Sequence, residues 1–250
     1  MSDPLFVWCL LLGASFLGGG LNAVAGGGSF FTFPALVYAG VPAVAANATG
    51  TLALLPGYIA STWGFREDLQ ARKSLSLRTL IVSSMSGGAI GAMLLLVTPD
   101  ATFRAIVPWL LLVATLLFAI GPRLLRMMDR EDEANAITQT LSLFAVSIYG
   151  GYFNGGLGIV LLAAFSLLGH QNLNAMNGLK NLASAVLTTI AVCLYAYGGA
   201  IVWLEATVMM ISAIIGGYVA ARIARRLPVV VVRTVVIATG TVMTVVFFVA

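Results

Sequence analysis

The sequence predicts an all-α polytopic membrane protein made of two inverted-topology repeats of five segments each. Of its 250 residues, 60% are hydrophobic and 9% are charged, whereas a soluble domain carries about 25% charged residues. Apolar runs as long as a membrane-spanning helix recur along the whole chain. Similar glycine-, asparagine- and proline-containing stretches occur in both halves, which indicates an internal duplication.

Ten apolar segments are expected, five in each half. Segments two and seven have only about a dozen residues, too few to cross a hydrocarbon core of about 30 Å. We expect each of them to continue from, or to pack beside, the broken end of the segment before it. Repeats 1–122 and 136–250, joined by a cytoplasmic linker at 123–135, would form one integrated transport domain. The segments are 5–25, 29–39, 43–63, 76–97 and 102–121, then 137–153, 157–168, 175–197, 203–222 and 229–249.

The basic residues set the expected orientation. Most of the 13 lysines and arginines fall in three groups, and these groups share one face if all ten segments cross the membrane. The positive-inside rule makes that face cytoplasmic and places both termini outside. Because five crossings per repeat is an odd number, the second repeat is inverted; if segments two and seven failed to cross, the third group would lie outside. The groups are Arg66, Arg72, Lys73 and Arg78; Arg123, Arg126 and Arg130; and Arg222, Arg225, Arg226 and Arg233.

Glycine runs interrupt two of the apolar segments. Gly26-Gly27-Gly28 and Asn154-Gly155-Gly156 each precede a short apolar stretch, and successive glycines cost a helix about 1 kcal/mol each relative to alanine. They predict an unwound stretch followed by the N-terminus of a half-helix, where free N–H groups and the positive dipole end favour an anion. For the repeated pairs Gly87-Gly88 and Gly216-Gly217 we favour close helix packing instead.

Lys180 is the most informative single residue. It lies in segment eight, and segments six to eight contain no acidic residue that would neutralise it. A lysine inside a membrane segment is costly and usually faces a cavity or a partner. We therefore predict that it binds an anionic ligand; the alternative is that its side chain extends to the nearby interface.

Polar side chains repeat around this lysine. Asn177 and Asn181 share its helical face, and Asn47 and Thr51 have the same four-residue spacing in the first half. Amide and hydroxyl groups suit oxyanion oxygens, so we expect the two pairs to meet and to orient the ligand. Hydrogen bonding between helices is the alternative. Asn22 and Asn154 are also candidate ligand contacts, with hydrogen bonding to the unwound backbone as their alternative.

Other function classes find little support in the sequence. One histidine and two cysteines do not form a recognisable zinc-binding pattern, and no cofactor is expected. No nucleophile–base pair points to an enzyme. The net charge of +4 comes from residues at helix ends, so it indicates membrane topology rather than nucleic-acid binding.

With these residues identified, the chain resembles the TauE/SafE family of sulfite and organosulfonate permeases over nearly its full length. The resemblance implies transport of small sulfur-containing or carboxylated anions across the bacterial inner membrane. The sequence departs from the common family pattern at Asn22 and Asn154. The resemblance rests on the N-terminal glycine-rich segment through Pro34, Gly40-Val41-Pro42, Ala46-Asn47-Ala48-Thr49, Phe153-Asn154-Gly155-Gly156-Leu157-Gly158 and Asn177-Gly178-Leu179-Lys180-Asn181.

The resulting hypothesis is an alternating-access exporter of sulfite or a small organosulfonate, in which Lys180 neutralises the substrate. An anion channel and a carrier of small carboxylates or other sulfur oxyanions are the alternatives. The expected partners are the small anion, the lipid bilayer and further copies of the same chain, and no nucleic acid. Composition does not distinguish lipid-facing from subunit-facing surfaces, so the oligomeric state stays open.

Overall fold

The computed structural model describes residues 3–67, 69, 75–127, 134–170, 172–223 and 229–249. Ten α-helices and no β-strand occur within these residues. Six of the helices, α1, α3, α4, α5, α8 and α9, are long and apolar enough to cross a membrane. The prediction of an all-α polytopic membrane protein is therefore confirmed. The helices are α1 (Pro4–Ala25), α2 (Ser29–Tyr38), α3 (Ala43–Gly64), α4 (Leu77–Val97), α5 (Asp100–Met127), α6 (Ala136–Tyr152), α7 (Leu157–Leu167), α8 (Leu173–Tyr197), α9 (Trp203–Ile223) and α10 (Val229–Val249).

Each helix overlaps one predicted apolar segment, and the largest difference lies at the predicted linker. Helix α5 continues to Met127, so the linker expected at 123–135 begins inside a helix. Arg123 and Arg126 therefore lie on the last turns of α5. Residues 128–133 of the linker are outside the described residues.

Side-chain caps explain where three of the helices begin. The Asp3 carboxylate accepts the Leu5 N–H at 3.0 Å, next to Pro4 in the first turn of α1. Asn135 caps α6 and Asn172 caps α8 in the same way. A capping side chain satisfies N–H groups that have no partner inside the helix, so these starts follow from local sequence.

Helices α1 and α2 form a hairpin, which we call the first hairpin. The Phe6 and Tyr38 rings, near the start of α1 and the end of α2, lie 6.2 Å apart. Gly18 of α1 packs against the backbone of Gly28, at the start of α2. Helix α2 therefore runs back beside α1, and its 10 residues span about 15 Å.

Helices α6 and α7 form the second hairpin. The N–H of Ala134, just before α6, donates to the carbonyl of Leu168, just after α7, at 3.1 Å. The chain therefore returns to the end of the bundle where α6 began. Each short segment was expected either to continue from the helix before it or to pack beside that helix. Both α2 and α7 pack beside the preceding helix.

The hairpins correct one step of the topology argument. A hairpin brings the chain back to its starting side, whether or not its tip reaches the opposite face. The third basic group therefore stays on the same side as the other two even if α2 and α7 do not cross the membrane. The expectation that it would then lie outside is wrong.

The first helix of each hairpin packs parallel to a helix from the other half of the chain. Helix α1 packs on α9, and α6 packs on α4. In the α1–α9 pair, the Ser212 hydroxyl donates to the Leu12 carbonyl at 2.8 Å, and Gly216 packs on the backbone of Phe16. In the α4–α6 pair, a Cβ on Gly87 would lie 2.7 Å from the Phe144 carbonyl oxygen. The predicted packing role of Gly87-Gly88 and Gly216-Gly217 is therefore confirmed, because side chains there would separate the helices.

Helices α3 and α8 lie side by side near the centre and run in opposite directions. Gly178, near the start of α8, packs against the Phe65 carbonyl just after α3. Near the start of α3, Thr49 accepts the Val202 N–H at 3.1 Å, and Val44 donates to Asp100 at 2.9 Å. Helices α5 and α9 therefore begin at the end of the bundle where α3 begins. They also end where α3 ends, at the opposite end of the bundle.

We call the end of the bundle at Phe65 and Gly178 the basic end, and the opposite end, where α1 begins, the amino end. Arg66 and Arg78 adjoin the basic end, and α5 and α9 finish there with Arg123, Arg126 and Arg222. The three basic groups thus share one end of the bundle, as far as their residues are described.

Candidate anion-binding site

The tips of the two hairpins meet inside the protein. The first tip is Gly26–Gly28 and the second is Phe153–Gly156. A Cβ on Gly158, just past the second tip, would lie 2.7 Å from the Cα of Gly26, and the reverse distance is 2.8 Å. Ser29 also donates from its hydroxyl to the Asn154 carbonyl at 3.2 Å. Only glycine permits this backbone approach, and Gly26 additionally has a positive φ of 76°.

Carbonyl groups at the end of α6 and in the second tip are paired by side chains. The donors come from α3, α6 and α8, so three elements hold this stretch of backbone. These carbonyls thus have hydrogen-bond donors within the protein, in contrast to several N–H groups of the tips. The hydroxyl of Tyr195 donates to Gly151, Asn47 Nδ2 donates to Tyr152 at 3.2 Å, and the hydroxyl of Tyr149 donates to Gly155 at 2.5 Å.

Five N–H groups at the two helix starts have no partner among the described residues. They are the N–H groups of Gly27, Gly28 and Ser29 and those of Gly155 and Gly156. Helices α2 and α7 begin directly after the tips, so each adds the positive end of its dipole. The predicted unwound stretches and half-helix starts are confirmed; their binding of an anion stays a prediction.

Tyr58 of α3 pairs with one of the predicted site residues and lies near a second. Its hydroxyl, fully buried, donates to Asn154 Oδ1 at 3.2 Å, and Asn22 Nδ2 lies 3.7 Å from the place that a Cβ on the neighbouring Gly57 would take. Asn22 and Asn154 are 4% and 1% exposed, yet Asn22 Oδ1 and Asn154 Nδ2 have no partner among the described residues. Tyr58 was not predicted from the sequence, because one tyrosine in an apolar helix has the same pattern as a core residue.

Lys180 is enclosed and lacks a partner. It is 1% exposed, and no described residue forms a hydrogen bond or ion pair with its ammonium group. It lies seven residues after the start of α8, about 10 Å along the helix. A side chain that extended to the interface would be exposed there, so this geometry favours the ligand-binding interpretation.

A polar stripe leads from Lys180 towards the hairpin tips. Ser184 and Thr188 follow at four-residue spacing on the same face of α8, are fully buried, and have hydroxyl groups without a partner among the described residues. Asn181 is 3% exposed, and Asn177 is half-buried. Leu187 packs on Gly150 and Leu157 beside the second tip, so the stripe covers the two turns between Lys180 and that tip.

The predicted meeting of the two asparagine pairs does not occur. Since Gly178 packs on Phe65, Lys180 is level with the end of α3, whereas Asn47 lies near its start. The separation along the helix is roughly 25 Å. The physical reason is that α3 and α8 are antiparallel, which puts equivalent residues at opposite ends. The Thr51 hydroxyl, moreover, donates to the Asn47 carbonyl of its own helix at 2.7 Å.

Sequence comparisons place this architecture in a known family. The sequence profile described as "Sulfite exporter TauE/SafE" matches residues 11–247. The chain belongs to the TauE/SafE family. A Sinorhizobium protein described as "Probable membrane transporter protein ORF9" is 28% identical over 233 residues, which cover 90% of this chain and 86% of the relative.

Two further relatives carry similar descriptions. A "Probable membrane transporter protein" of Haemophilus influenzae is 29% identical over 230 residues, covering 86% of this chain and 83% of the relative. "Probable membrane transporter protein YfcA" of Escherichia coli K12 is 28% identical over 227 residues, covering 89% and 82%. No solved structure gives a significant match. The chain is thus a multi-pass membrane protein of a transporter family, which fits a non-enzymatic role.

Proposed function

We propose that the protein exports a small anion, sulfite or a small organosulfonate, across the bacterial inner membrane by alternating access. The observation that carries this proposal is the meeting of two helix starts at which five N–H groups have no partner among the described residues, while neighbouring carbonyls are paired. Such a site offers donors and positive dipole ends to an oxyanion. Its buried surroundings suit a compact sulfur oxyanion.

Lys180 supplies the full positive charge on the way to this site. Leu187, which packs on Gly150 just before the second tip, lies seven residues or about 10 Å further along α8. At an effective dielectric constant of about 20, a charge about 10 Å from an anion contributes about 1.7 kcal/mol to its binding, and less at a greater distance. The partnerless hydroxyls of Ser184 and Thr188 line the interval, which supports a path from the basic end to the tips.

The packing supports two inverted repeats as the basis of alternating access. Helix α1 packs most extensively on α9, and the equivalent helices α6 and α4 form an equally extensive pair. The two hairpins enter from opposite ends and meet tip to tip. A pseudo-two-fold axis through the tips would relate these features, and rocking of one half against the other would expose the tips to each side in turn.

The orientation and direction follow from charge. The positive-inside rule assigns the basic end to the cytoplasm and both termini to the outside. Lys180, closer to the basic end, would then meet anions that arrive from the cytoplasm. An inside-negative potential favours anion export by about 2.3 kcal/mol per charge per 100 mV.

Transport by purified protein in lipid vesicles tests this proposal. Lys180→Met removes the charge and keeps the length of the side chain, and we expect sulfite flux to fall at least about tenfold. Arg104→Met is the matched control, because Arg104 is an exposed cation near the amino end; its flux should equal that of the native protein. Native flux in Lys180→Met would refute the electrostatic role of Lys180.

The same vesicles separate the alternatives. A carrier saturates with substrate and exchanges labelled for unlabelled sulfite, whereas a channel gives ohmic currents without exchange. A panel of carboxylates and other sulfur oxyanions, added as competitors, ranks the substrate classes.

A further inference from the structure

The hydroxyl of Tyr58 pairs only half of the Asn154 amide, since it donates to Oδ1 at 3.2 Å. A second amide, that of Asn22, lies near this helix: its Nδ2 is 3.7 Å from the place that a Cβ on Gly57 would take. Both amides are more than nine-tenths buried, and Asn22 Oδ1 and Asn154 Nδ2 have no partner among the described residues. A buried polar group without a partner costs free energy, so two such groups close together indicate a place where a ligand binds.

The two free groups differ in kind. Asn22 Oδ1 is a hydrogen-bond acceptor and Asn154 Nδ2 is a donor, and neither has a partner among the described residues. A ligand that satisfies both must therefore supply one donor and one acceptor.

The surroundings restrict the ligand further. Asn154 belongs to the second tip, and its carbonyl holds Ser29 at the start of α2. A Cβ on Gly28 would lie 3.1 Å from Asn22 Cβ, so Asn22 borders the first tip. The amides therefore adjoin the unpaired N–H groups. A bare oxyanion satisfies those N–H groups and the free NH₂, but it repels the free amide oxygen.

We propose, resting on the anion-carrier function above, that the substrate is an oxyanion that also carries a hydrogen-bond donor, namely a hydroxyl or amino group close to the acidic group. Asn22 Oδ1 accepts from that donor, Asn154 Nδ2 donates to one oxyanion oxygen, and Tyr58 holds the Asn154 amide. A hydroxyalkanesulfonate or hydrogensulfite meets this requirement. An alkanesulfonate of the same size leaves the amide oxygen unpaired.

A matched pair of ligands tests the proposal. Binding of 2-hydroxyethanesulfonate and of propane-1-sulfonate, which has a methyl group in place of the hydroxyl, is measured by calorimetry on the full-length protein. We expect the hydroxylated ligand to bind about ten- to a hundredfold more tightly. In Asn22→Leu this ratio should fall to about one.

A second variant and a control keep the test decisive if Asn22→Leu does not fold. Tyr58→Phe removes only the hydroxyl that holds the Asn154 amide, and we expect it to lower the ratio as well. The control is Thr62→Val on the same helix, where the lost hydroxyl donates to the backbone carbonyl of Tyr58 at 2.8 Å. Its ratio should match that of the native protein.

The outcomes are distinct. Equal affinities in the native protein would overturn the proposal and would indicate that a water molecule bridges the two amides. A native ratio that persists in both Asn22→Leu and Tyr58→Phe would also overturn it. If neither sulfonate binds and sulfite is not transported, the proposed function fails together with this inference.

Discussion

Gly50 of α3 and Lys180 of α8 occupy equivalent positions in the two halves, but their surroundings differ. A Cβ on Gly50 would lie 3.1 Å from Thr32 Oγ1, because α2 approaches α3 closely at this point. Lys180 has a buried side chain without a partner among the described residues. The duplicated frame thus uses the position for packing in one half and for charge in the other.

The two tips show the opposite relation, since here the halves are alike. Both consist of an unwound stretch after a long helix, both contain a glycine with positive φ, and both precede a short helix. The tips are alike because their backbones approach each other closely, and both must have room for that contact. The two halves therefore share the backbone conformation of the tips, whereas only the second half supplies the charged side chain of Lys180.

A lysine at Gly50, the first-half equivalent of Lys180, should have the largest effect on the stability of the protein. In Gly50→Lys, the new side chain meets Thr32 and Leu36, and a lysine inside a membrane helix costs about 3 kcal/mol or more. We expect little folded protein and a strongly lowered melting temperature in detergent. Gly64→Lys is the control, because Gly64 is exposed and no atom lies within 4 Å of the place that a Cβ would take there. A native melting temperature in Gly50→Lys would show that packing does not exclude a charge from this half.

Adding one methyl group where the tips meet should have the next largest effect. In Gly158→Ala the new carbon would lie 2.7 Å from Gly26 Cα, and overpacking of this kind costs about 1–3 kcal/mol. Thermal unfolding checks this expectation, with Gly13→Ala as control because nothing lies within 4 Å of the added carbon. Equal stability of the two variants would contradict the close contact between the tips.

The smallest expected effect compares Asn181 with its first-half equivalent Thr51. Asn181 is buried next to Lys180, so Asn181→Leu should weaken sulfite binding severalfold, the effect of one lost hydrogen bond. Thr51→Val should leave binding unchanged, because the Thr51 hydroxyl already donates to its own helix. Calorimetry on both variants checks the difference. Equal losses would place Thr51 in the site after all.

Much of the fold was predictable because it depends on local patterns. Apolar length located the ten helices, and the glycine runs located both helix breaks at Gly26–Gly28 and Asn154–Gly156. Repeated glycine pairs indicated close packing. These features follow from the bilayer and from backbone conformation, both of which a single sequence reveals.

The assembly of the site was less predictable, because it depends on the level at which residues lie and on their partners. The predicted inversion already made α3 and α8 antiparallel, but spacing did not reveal that Asn47 and Lys180 lie far from the level at which equivalent residues of the two helices would meet. Asn47 instead pairs a carbonyl of α6. Tyr58 was missed because its role comes from Asn154 on another element, and no local pattern marks such a contact.

The most direct measurement is a map of where an oxyanion binds. Crystals of the protein soaked with selenite, in which selenium replaces the sulfur of sulfite, would show the anion in an anomalous difference map. The predicted result is one selenium peak within hydrogen-bond reach of the N–H groups of Gly28, Ser29, Gly155 and Gly156. A peak elsewhere in the bundle, or no peak in a protein that binds selenite in solution, would contradict an anion site where the two tips meet.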